Sequence, residues 1–461
     1  MCCSGGLSLL SSSYQKRRLT SVQIIVFFYV GLILLSTILL YTPIFHNPGV
    51  SISFIDAMFT STSAISVTGL TVVAVHEIFN QWGLLYLTLL FQVGGIGIMT
   101  LGTFFWLLMG QKIGLEQRIW IATDHNRSTL AGLVSLMRNI LVLALLIELV
   151  GTILLGTHFL LSGYHHDWYT AYFHGFFASI SAFTNAGFDL YGNSMQSFAH
   201  DYIYQAIIML LIVCGAIGFP VLVEIRTYLA YRRAKMRFTF SLFTKVTTLT
   251  FFSLVVLGAV LIFLFERNGI LQGMKWHETL FYSLFHSISS RSGGLSTIDI
   301  SLFTTPTLLM LASLMFIGAS PSSVGGGIRT TTFFVLVATV ITHMRGFKDV
   351  KVFGRELVED DIIRSFIVFF VAIFLVFSAV ILLVWLEDLP FQHVLFEVCS
   401  AFGTTGLSSG ITSAMGVPGK LILILMMVIG RIGIINLLLF LKRNDRIVRY
   451  HHPKERLIIG Q

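Results

Sequence analysis

The sequence predicts an all-α membrane protein made of four tandem helix–pore loop–helix repeats in a pseudo-fourfold arrangement around a central pore. Composition is the first indication: of 461 residues, 55% are apolar and only 11% are charged. Soluble domains carry roughly 25% charged residues, and surface-to-volume scaling prevents a soluble chain of this size from burying so much apolar surface. Disorder needs low hydrophobicity and is excluded too. The second indication is a Ser/Thr/Gly-rich segment that recurs four times.

Eight transmembrane helices are expected, because a spanning helix needs roughly 20 apolar residues. Seven are continuous: residues 22–41, 82–109, 140–161, 202–229, 242–265, 362–386 and 421–441. The eighth is divided, since residues 308–317 and 333–341 are each about half a span. A single broken helix and two half-membrane hairpins both fit this pattern. The irregular backbone between the halves, residues 318–329, must line protein or a water-filled cavity.

A shorter segment of mixed polarity lies between the two helices of each pair, and its length suits a re-entrant half-helix. These segments are residues 52–65, 168–183, 277–290 and 390–402. The pairs define four pore repeats over residues 20–110, 111–230, 231–345 and 346–441. A cytoplasmic N-terminal segment, residues 1–19, precedes them, and a basic cytoplasmic tail, residues 442–461, follows.

The distribution of charge predicts the orientation. All but four of the 30 Lys and Arg residues lie on or near the side of the two termini, the exceptions being Arg267, Lys275, Arg291 and Lys420. By the positive-inside rule both termini are cytoplasmic, and the half-helices enter from outside. Eleven acidic residues face the outer mouth, where they concentrate cations. The net charge of +8 therefore reflects topology, and no nucleic acid partner is expected.

The four re-entrant segments align with one another as FTSTSAISVTGL, FASISAFTNAGF, FHSISSRSGGL and FEVCSAFGTTGL. Each begins with Phe, and each has Gly before its final Leu or Phe: Gly69, Gly187, Gly294 and Gly406. The C-terminal end of a half-helix carries roughly half a negative charge, and glycine permits positive φ, so successive carbonyls can face an axis. Rings of carbonyls replace the hydration shell of potassium in channel filters. The repeats therefore predict a cation pore within a single chain.

The motifs VTGL, NAGF, SGGL and TTGL resemble the filter of the Trk/Ktr/HKT superfamily of cation transporters, over nearly the whole chain. The chain lacks the two extra N-terminal helices of TrkH-like members and is most similar to the KtrB-type subunits of bacterial Ktr potassium uptake systems. The resemblance implies K⁺ as the transported ion, often with stimulation by Na⁺, and a bacterial plasma membrane. It also implies a homodimer with one pore per protomer, and a cytosolic nucleotide-binding KtrA-type ring as regulator.

The family's filter residues correspond to one triplet in each repeat of this chain. The implied filter residues are Val67, Thr68, Gly69, Asn185, Ala186, Gly187, Ser292, Gly293, Gly294, Thr404, Thr405 and Gly406. Each loop has one obligatory glycine position, which suggests looser potassium selectivity than in channels, so that Na⁺ or Rb⁺ can pass.

The resemblance matches residues 318–329 to an intramembrane gate loop under the filter. Its flexible polar residues are Gly318, Ser320, Ser322, Ser323, Gly325, Gly326 and Gly327. From the residues alone, a helix kink near Pro321 explains the same segment.

Two arginines lie within apolar sequence. Arg431 falls in the middle of a span, where a charge is costly, so it must face water or a partner. The resemblance makes it part of the gate, a pore-facing barrier below the filter, whereas a buried pairing with Glu148 or Glu224 is the alternative. For Arg291 we expect a brace that donates hydrogen bonds to carbonyls of the neighbouring loops.

Further motifs limit the function. The glycines of GGIG (94–97) and GAIG (215–218) suit close helix packing, and no dinucleotide fingerprint or Walker A motif occurs, so we expect neither bound nucleotide nor enzyme activity. Asp56 and Glu397 either attract cations to the mouth or cap and pair locally. An alternating-access symporter coupling K⁺ to Na⁺ or H⁺ is the second hypothesis, although such transporters usually have inverted repeats. The basic tail suits membrane lipid or a regulator equally.

Overall fold

The computed structural model describes residues 20–97 and 132–441, with residues 114, 118, 119, 453 and 455 as isolated positions. Over these residues the fold is helical, and its two strands, Lys351–Val352 and Arg355–Glu356, form one small antiparallel pair. The predicted N-terminal segment 1–19, residues 98–109 of the second predicted span and nearly all of the tail 442–461 lie outside the described residues.

Each repeat contains a first helix, a pore helix and a second helix. The first helices are Ser21–Tyr41, Leu133–Leu161, Leu242–Glu266 and Glu359–Glu387. The pore helices are Phe54–Ser66, Trp168–Phe183, Trp276–Ser289 and Phe391–Gly403. The second helices are Gln81–Ile96, Tyr202–Ala216, Thr305–Phe316 and Val417–Ile432, the last three being followed by Phe219–Arg233, Thr330–Met344 and Ile434–Leu441. Short connecting elements are Val75–Ile78 and the 3₁₀ turns Pro43–Phe45, Gln196–Phe198, Ile300–Leu302 and Thr412–Ala414.

The first helices are long and apolar enough to cross a membrane, as predicted. The predicted spans 202–229 and 421–441 are not single continuous helices, because each consists of two helices that meet at a sharp bend, of 103° and 97° respectively. The bends lie at Gly218 (φ +102°) and Gly433 (φ +86°), whose backbone conformations are not helical. A hydropathy pattern gives the length of an apolar run and does not detect a single glycine with positive φ, so the two bends were not predicted.

A carboxylate at the end of the first helix ties the first and second helices together in two repeats. Glu266, at the end of a first helix, accepts hydrogen bonds from the backbone N–H (2.9 Å) and hydroxyl (2.8 Å) of Thr304, which precedes the second helix. In the last repeat Glu387 accepts from the N–H groups of Gly416 (2.8 Å) and Gly419 (3.0 Å). These N–H groups lie at helix starts, where the partial positive charge favours a carboxylate.

The phenylalanine that begins each repeated segment lies within the pore helix, and its side chain is buried. All four are 0–1% exposed: Phe59, Phe177, Phe285 and Phe396. Full burial of such a side chain contributes about 1.5–3 kcal/mol. The all-α fold with four pore-loop repeats is confirmed, and the repeat places the four pore helices around a shared centre.

Candidate ion pathway

The four terminal glycines of the pore segments form a closed ring. A Cβ added to Gly69 would lie 2.9 Å from the Cα of Gly187, and one added to Gly187 would lie 3.0 Å from that of Gly294. A Cβ on Gly294 would lie 3.4 Å from the Cα of Gly406, and one on Gly406 2.9 Å from that of Gly69. The structure thus brings four sequence-distant segments to one point in the order of the chain.

Each triplet of predicted filter residues has the same unusual backbone. The first residue is left-handed in all four: Val67 (φ +56°), Asn185 (φ +54°), Ser292 (φ +75°) and Thr404 (φ +47°). The last residue is a glycine with φ between +69° and +93°, and the middle residue has no positive φ. Alternation of this kind turns successive carbonyls to the same side. The sequence predicts positive φ only at the glycines, so the left-handed conformation of the first position was not predicted.

This backbone is strained. A left-handed non-glycine residue costs about 1–2 kcal/mol, and for a β-branched residue such as Val67 the conformation is an outlier. Strain of this kind persists where the surrounding structure imposes it, typically at functional sites. The same strained conformation occurs at four equivalent positions. This indicates that the fold holds the backbone carbonyls of the four triplets in a particular direction.

One pore-helix serine per repeat holds each strained segment, and the sequence analysis did not single these serines out. The hydroxyls of Ser63 and Ser400 accept from the N–H groups of Gly69 and Gly406, both at 3.1 Å. The equivalents in repeats two and three are Ser181, which donates to the Phe188 carbonyl at 2.7 Å, and Ser289, which accepts from the Leu295 N–H at 3.0 Å. The sequence does contain a signal for these serines. In repeats one, two and four the serine lies six residues before the terminal glycine, and in repeat three, whose segment is one residue shorter, it lies five before.

Residues 317–329, between the two halves of the broken third-repeat helix, lie against the predicted filter segments. The Gly326 N–H donates to the Thr404 hydroxyl at 2.7 Å, and a Cβ added to Gly325 would overlap the Ser292 side chain. The loop folds back on itself, with the Ala319 N–H donating to the Gly326 carbonyl at 3.3 Å. We call residues 317–329 the intramembrane loop.

The intramembrane loop is also bonded to the broken ends of other second helices. Ser320 and Val324 donate their N–H groups to the carbonyls of Ala216 (3.1 Å) and Gly215 (3.3 Å). The Gly327 N–H donates to the Gly430 carbonyl at 3.3 Å. The last carbonyls of a helix have no partner within the helix, so these bonds satisfy groups that the breaks leave free.

A cavity of about 200 Å³ adjoins the intramembrane loop. Tyr29, Ser322, Arg329, Arg431 and Asn436 contribute to its lining. The intramembrane loop therefore lies between the predicted filter segments on one side and this cavity on the other.

Comparisons with known proteins agree with this architecture. The TrkH family model, described as Cation transport protein, matches residues 1–450. Ktr system potassium uptake protein D of Bacillus subtilis is 52% identical over 442 residues, covering 96% of this chain and 98% of that protein. Ktr system potassium uptake protein B of the same organism is 33% identical, covering 94% and 96%. The chain belongs to the TrkH family of cation transport proteins.

A solved structure shares the fold of this family member. The crystal structure of the potassium transporter TrkH from Vibrio parahaemolyticus matches it with a TM-score of 0.73 at 20% identity, covering 93% of this chain and 86% of that one. The family resemblance predicted from the four filter motifs is confirmed. The chain is a membrane transporter and not an enzyme.

In this transporter Arg431 contacts backbone carbonyls. Its guanidinium donates to the carbonyl of Val324 in the intramembrane loop and to those of Gly94 and Gly95 (the last at 3.3 Å), which end the second helix of repeat one. The alternative partners are engaged elsewhere, since Glu148 accepts from the Gln92 amide and Glu224 from the Ser241 N–H. Arg431 therefore links the first repeat to the loop.

Arg291 is placed as a brace between its filter segment and the end of the second helix of its own repeat. It is fully buried, and it donates to the carbonyls of Ile317 (2.7 Å) and Leu314. Leu314 lies in the last turn of that helix, and Ile317 is the first residue of the intramembrane loop that follows it. A cation is favourable there because the C-terminal end of a helix is partially negative.

The acidic residues singled out in the first and fourth pore helices cap and pair. Asp56 accepts from the Lys420 ammonium at 2.7 Å and from the Ser53 hydroxyl at 2.7 Å. Glu397 is fully buried, and its carboxylate accepts from Ser409 N–H (2.9 Å) and from the Thr412 hydroxyl (2.8 Å). Their contacts hold the outer connections of the pore in place.

The predicted close packing at GGIG and GAIG is confirmed. A Cβ on Gly94 would overlap the carbonyl of Ile65, and one on Gly215 that of Phe183. Each of these carbonyls lies two residues before a filter triplet. Small residues at these points let the second helices approach the ends of the pore helices.

Proposed function

We propose that this chain is the membrane subunit of a potassium uptake system and conducts K⁺ through a filter of backbone carbonyls in the four triplets. One observation carries the proposal: the closed ring of glycines is lined by carbonyl oxygens. A Cβ on Gly69 would lie 2.6 Å from the Ala186 oxygen, and one on Gly294 2.5 Å from the Thr405 oxygen. Carbonyls at this density can replace the hydration shell of a cation.

The membrane potential supplies the driving force, which is roughly 2.3 kcal/mol per charge per 100 mV. The names of the two Bacillus relatives, both Ktr system potassium uptake proteins, support K⁺ as the transported ion. Only one position of the triplet is glycine in all four repeats, which leaves fewer uniform carbonyl rings than in a channel filter, so Na⁺ competes. With the termini in the cytoplasm, the pore helices point their partially negative ends inward at the entering ion.

The intramembrane loop is the gate in this proposal, and Arg431 is its latch. Opening breaks the bonds from the loop N–H groups to Ala216, Gly215 and Gly430 and the guanidinium contact to Val324. At a net ~0.5–1.5 kcal/mol for each hydrogen bond, closure is favoured by a few kcal/mol. A regulator can shift such an equilibrium only through differential affinity for the open state.

The regulator in this proposal is a cytosolic nucleotide-binding ring of the KtrA type, which acts on a homodimer of this chain. The word "system" in the relatives' names supports an assembly of several subunits. Residues 350–364, which include the small strand pair and mix both signs of charge, are a candidate contact for it.

The test is ⁸⁶Rb⁺ flux into liposomes that contain the purified chain, driven by an imposed membrane potential. We expect uptake without any Na⁺ or H⁺ gradient, and partial inhibition by external Na⁺. Uptake that occurs only when a Na⁺ or H⁺ gradient is imposed would instead establish the symporter and refute conduction through the filter.

A further inference from the structure

A groove beside the third pore helix remains outside the ion pathway. It lies between the first helix of repeat three and the start of its pore helix, and its volume is about 580 Å³. This is within the range of about 300–1,000 Å³ typical of small-molecule sites. Its walls are mainly apolar, with Ala259, Phe263 and Leu280 among the lining residues.

A free positive charge lies at the end of the groove. Arg267 is exposed and follows directly after the first helix. In the described part of the chain its guanidinium makes no ion pair or side-chain hydrogen bond, and the adjacent Glu266 carboxylate is directed at Thr304 instead. Trp276, at the start of the pore helix, is 79% exposed, and indole rings favour the membrane interface. The charged end therefore lies at headgroup level.

A buried hydroxyl inside the groove also needs a partner. Ser283 is 3% exposed and lines the groove, and among the residues that the structure describes its Oγ has no hydrogen-bond partner. It lies seven residues after Trp276, which is roughly 10 Å along a helix. Buried polar atoms normally have partners, so the occupant of the groove carries a polar atom below its charged end.

We infer that this groove binds one anionic phospholipid, in the leaflet at which the pore helices begin. The phosphate pairs with Arg267, an ester oxygen accepts from Ser283, and an acyl chain fills the apolar part. Charge complementarity favours an anionic headgroup over a zwitterionic one. The bound lipid would support the third pore helix from its outer side, and the site is independent of which ion the filter conducts.

The test uses quenching of Trp276 fluorescence in the full-length chain. The protein is reconstituted into phosphatidylcholine vesicles with increasing fractions of brominated phosphatidylglycerol. The chain has 6 Trp, so the quenching of the Trp276→Phe variant is subtracted from that of the parent chain. The difference is the quenching of Trp276 alone. We expect saturable quenching by brominated phosphatidylglycerol and much weaker quenching by brominated phosphatidylcholine.

Variants separate the contributions. Arg267→Gln should weaken the apparent affinity about fivefold, from ~1 kcal/mol per basic residue at a membrane surface, and Arg267→Lys should retain most of it. Arg345→Gln, which removes the same charge after another helix, should change nothing. Ser283→Ala should weaken binding roughly two- to tenfold, as for one hydrogen bond. Ala259→Phe should block the groove.

Two results would overturn the inference. Equal quenching by both brominated lipids, unaffected by Arg267→Gln and Ser283→Ala, would indicate ordinary surrounding lipid. If Ala259→Phe leaves the quenching unchanged but the variant no longer has the mass of a dimer, the groove is the contact surface for a second copy of this chain. Arg267 is exposed, so its variants test the site even where Ala259→Phe does not fold.

Discussion

Replacement of Gly294 by serine tests the proposed carbonyl filter at a crowded point of the glycine ring. Gly294 has φ +72°, and a Cβ there would lie 2.5 Å from the Thr405 carbonyl oxygen and 2.9 Å from the Gly187 Cα. Real Cβ atoms essentially never come within 3.0 Å of such atoms. Both neighbours are backbone, so the side chain cannot be accommodated by a rotamer change, and the Thr405 carbonyl must move by about half an ångström.

Two costs follow from the Gly294→Ser change. The left-handed backbone costs about 1–2 kcal/mol in stability. The displaced carbonyl no longer matches its three counterparts, so we expect the preference for Rb⁺ over Na⁺ to fall about tenfold, which is ~1.4 kcal/mol of selectivity. The assay is ⁸⁶Rb⁺ uptake into proteoliposomes over a range of competing Na⁺ concentrations. Gly406→Ser should behave in the same way, because its Cβ would overlap the Thr68 carbonyl.

Gly163→Ser is the matched control. Gly163 has φ +73°, and no atom lies within 4 Å of its added Cβ. It therefore incurs the same backbone cost without displacing a carbonyl, and its selectivity should equal that of the parent chain. If Gly294→Ser folds and retains the parental Rb⁺ uptake and Na⁺ inhibition, the ring of carbonyls does not select the ion and the reasoning fails.

Three further changes test the gate and the helix contacts. Deletion of Gly325, Gly326 and Gly327 removes loop N–H donors and should raise ⁸⁶Rb⁺ flux and loosen control by the regulator; flux at or below the parental value in folded protein would contradict a gating role. Arg431→Ala, which frees the Val324 carbonyl, should also raise basal flux, with Arg431→Lys intermediate, and equal flux in all three proteins would exclude a latch. Glu148→Ala leaves the Gln92 amide without its acceptor and should lower the free energy of unfolding by ~1–3 kcal/mol, measured by thermal unfolding in detergent. Glu148→Gln should lower it much less, because its side-chain carbonyl can still accept. An equal loss of stability in both variants would count against the hydrogen bond.

The parts of the fold predicted best are those that local sequence determines. The pore helices were predicted to within two residues of Phe54–Ser66, Trp168–Phe183, Trp276–Ser289 and Phe391–Gly403, because each has a characteristic length and mixed polarity and ends in a Ser/Thr/Gly-rich stretch. The first helices followed from apolar length alone. Contacts between residues far apart in the sequence could not be predicted. Arg431 donates to the Gly94 carbonyl across 337 positions, and the residue type at one position does not indicate its partner at the other.

Backbone direction was the other property that the sequence concealed. Val67, Asn185, Ser292 and Thr404 share a left-handed φ although they differ in side chain, so no residue type signals the conformation. The surrounding contacts impose it, among them the serine of each pore helix. A pattern search over aligned repeats could have found those serines, since Ser63, Ser181 and Ser400 occupy the same distance from their glycines.

The breaks of the second helices show why a single chain suits this site. Repeats one, two and four end these helices at Gly97, Gly218 and Gly433, with φ between +86° and +102°, and the breaks free carbonyls below the filter. The third repeat instead contributes the intramembrane loop, whose N–H groups bind those carbonyls in repeats two and four, and the fourth contributes Arg431 for repeat one. A ring of four identical subunits would place four loops and four arginines in the space that holds one of each. Divergence among covalently joined repeats therefore permits an asymmetric set of contacts beneath a pseudo-symmetric ring of glycines.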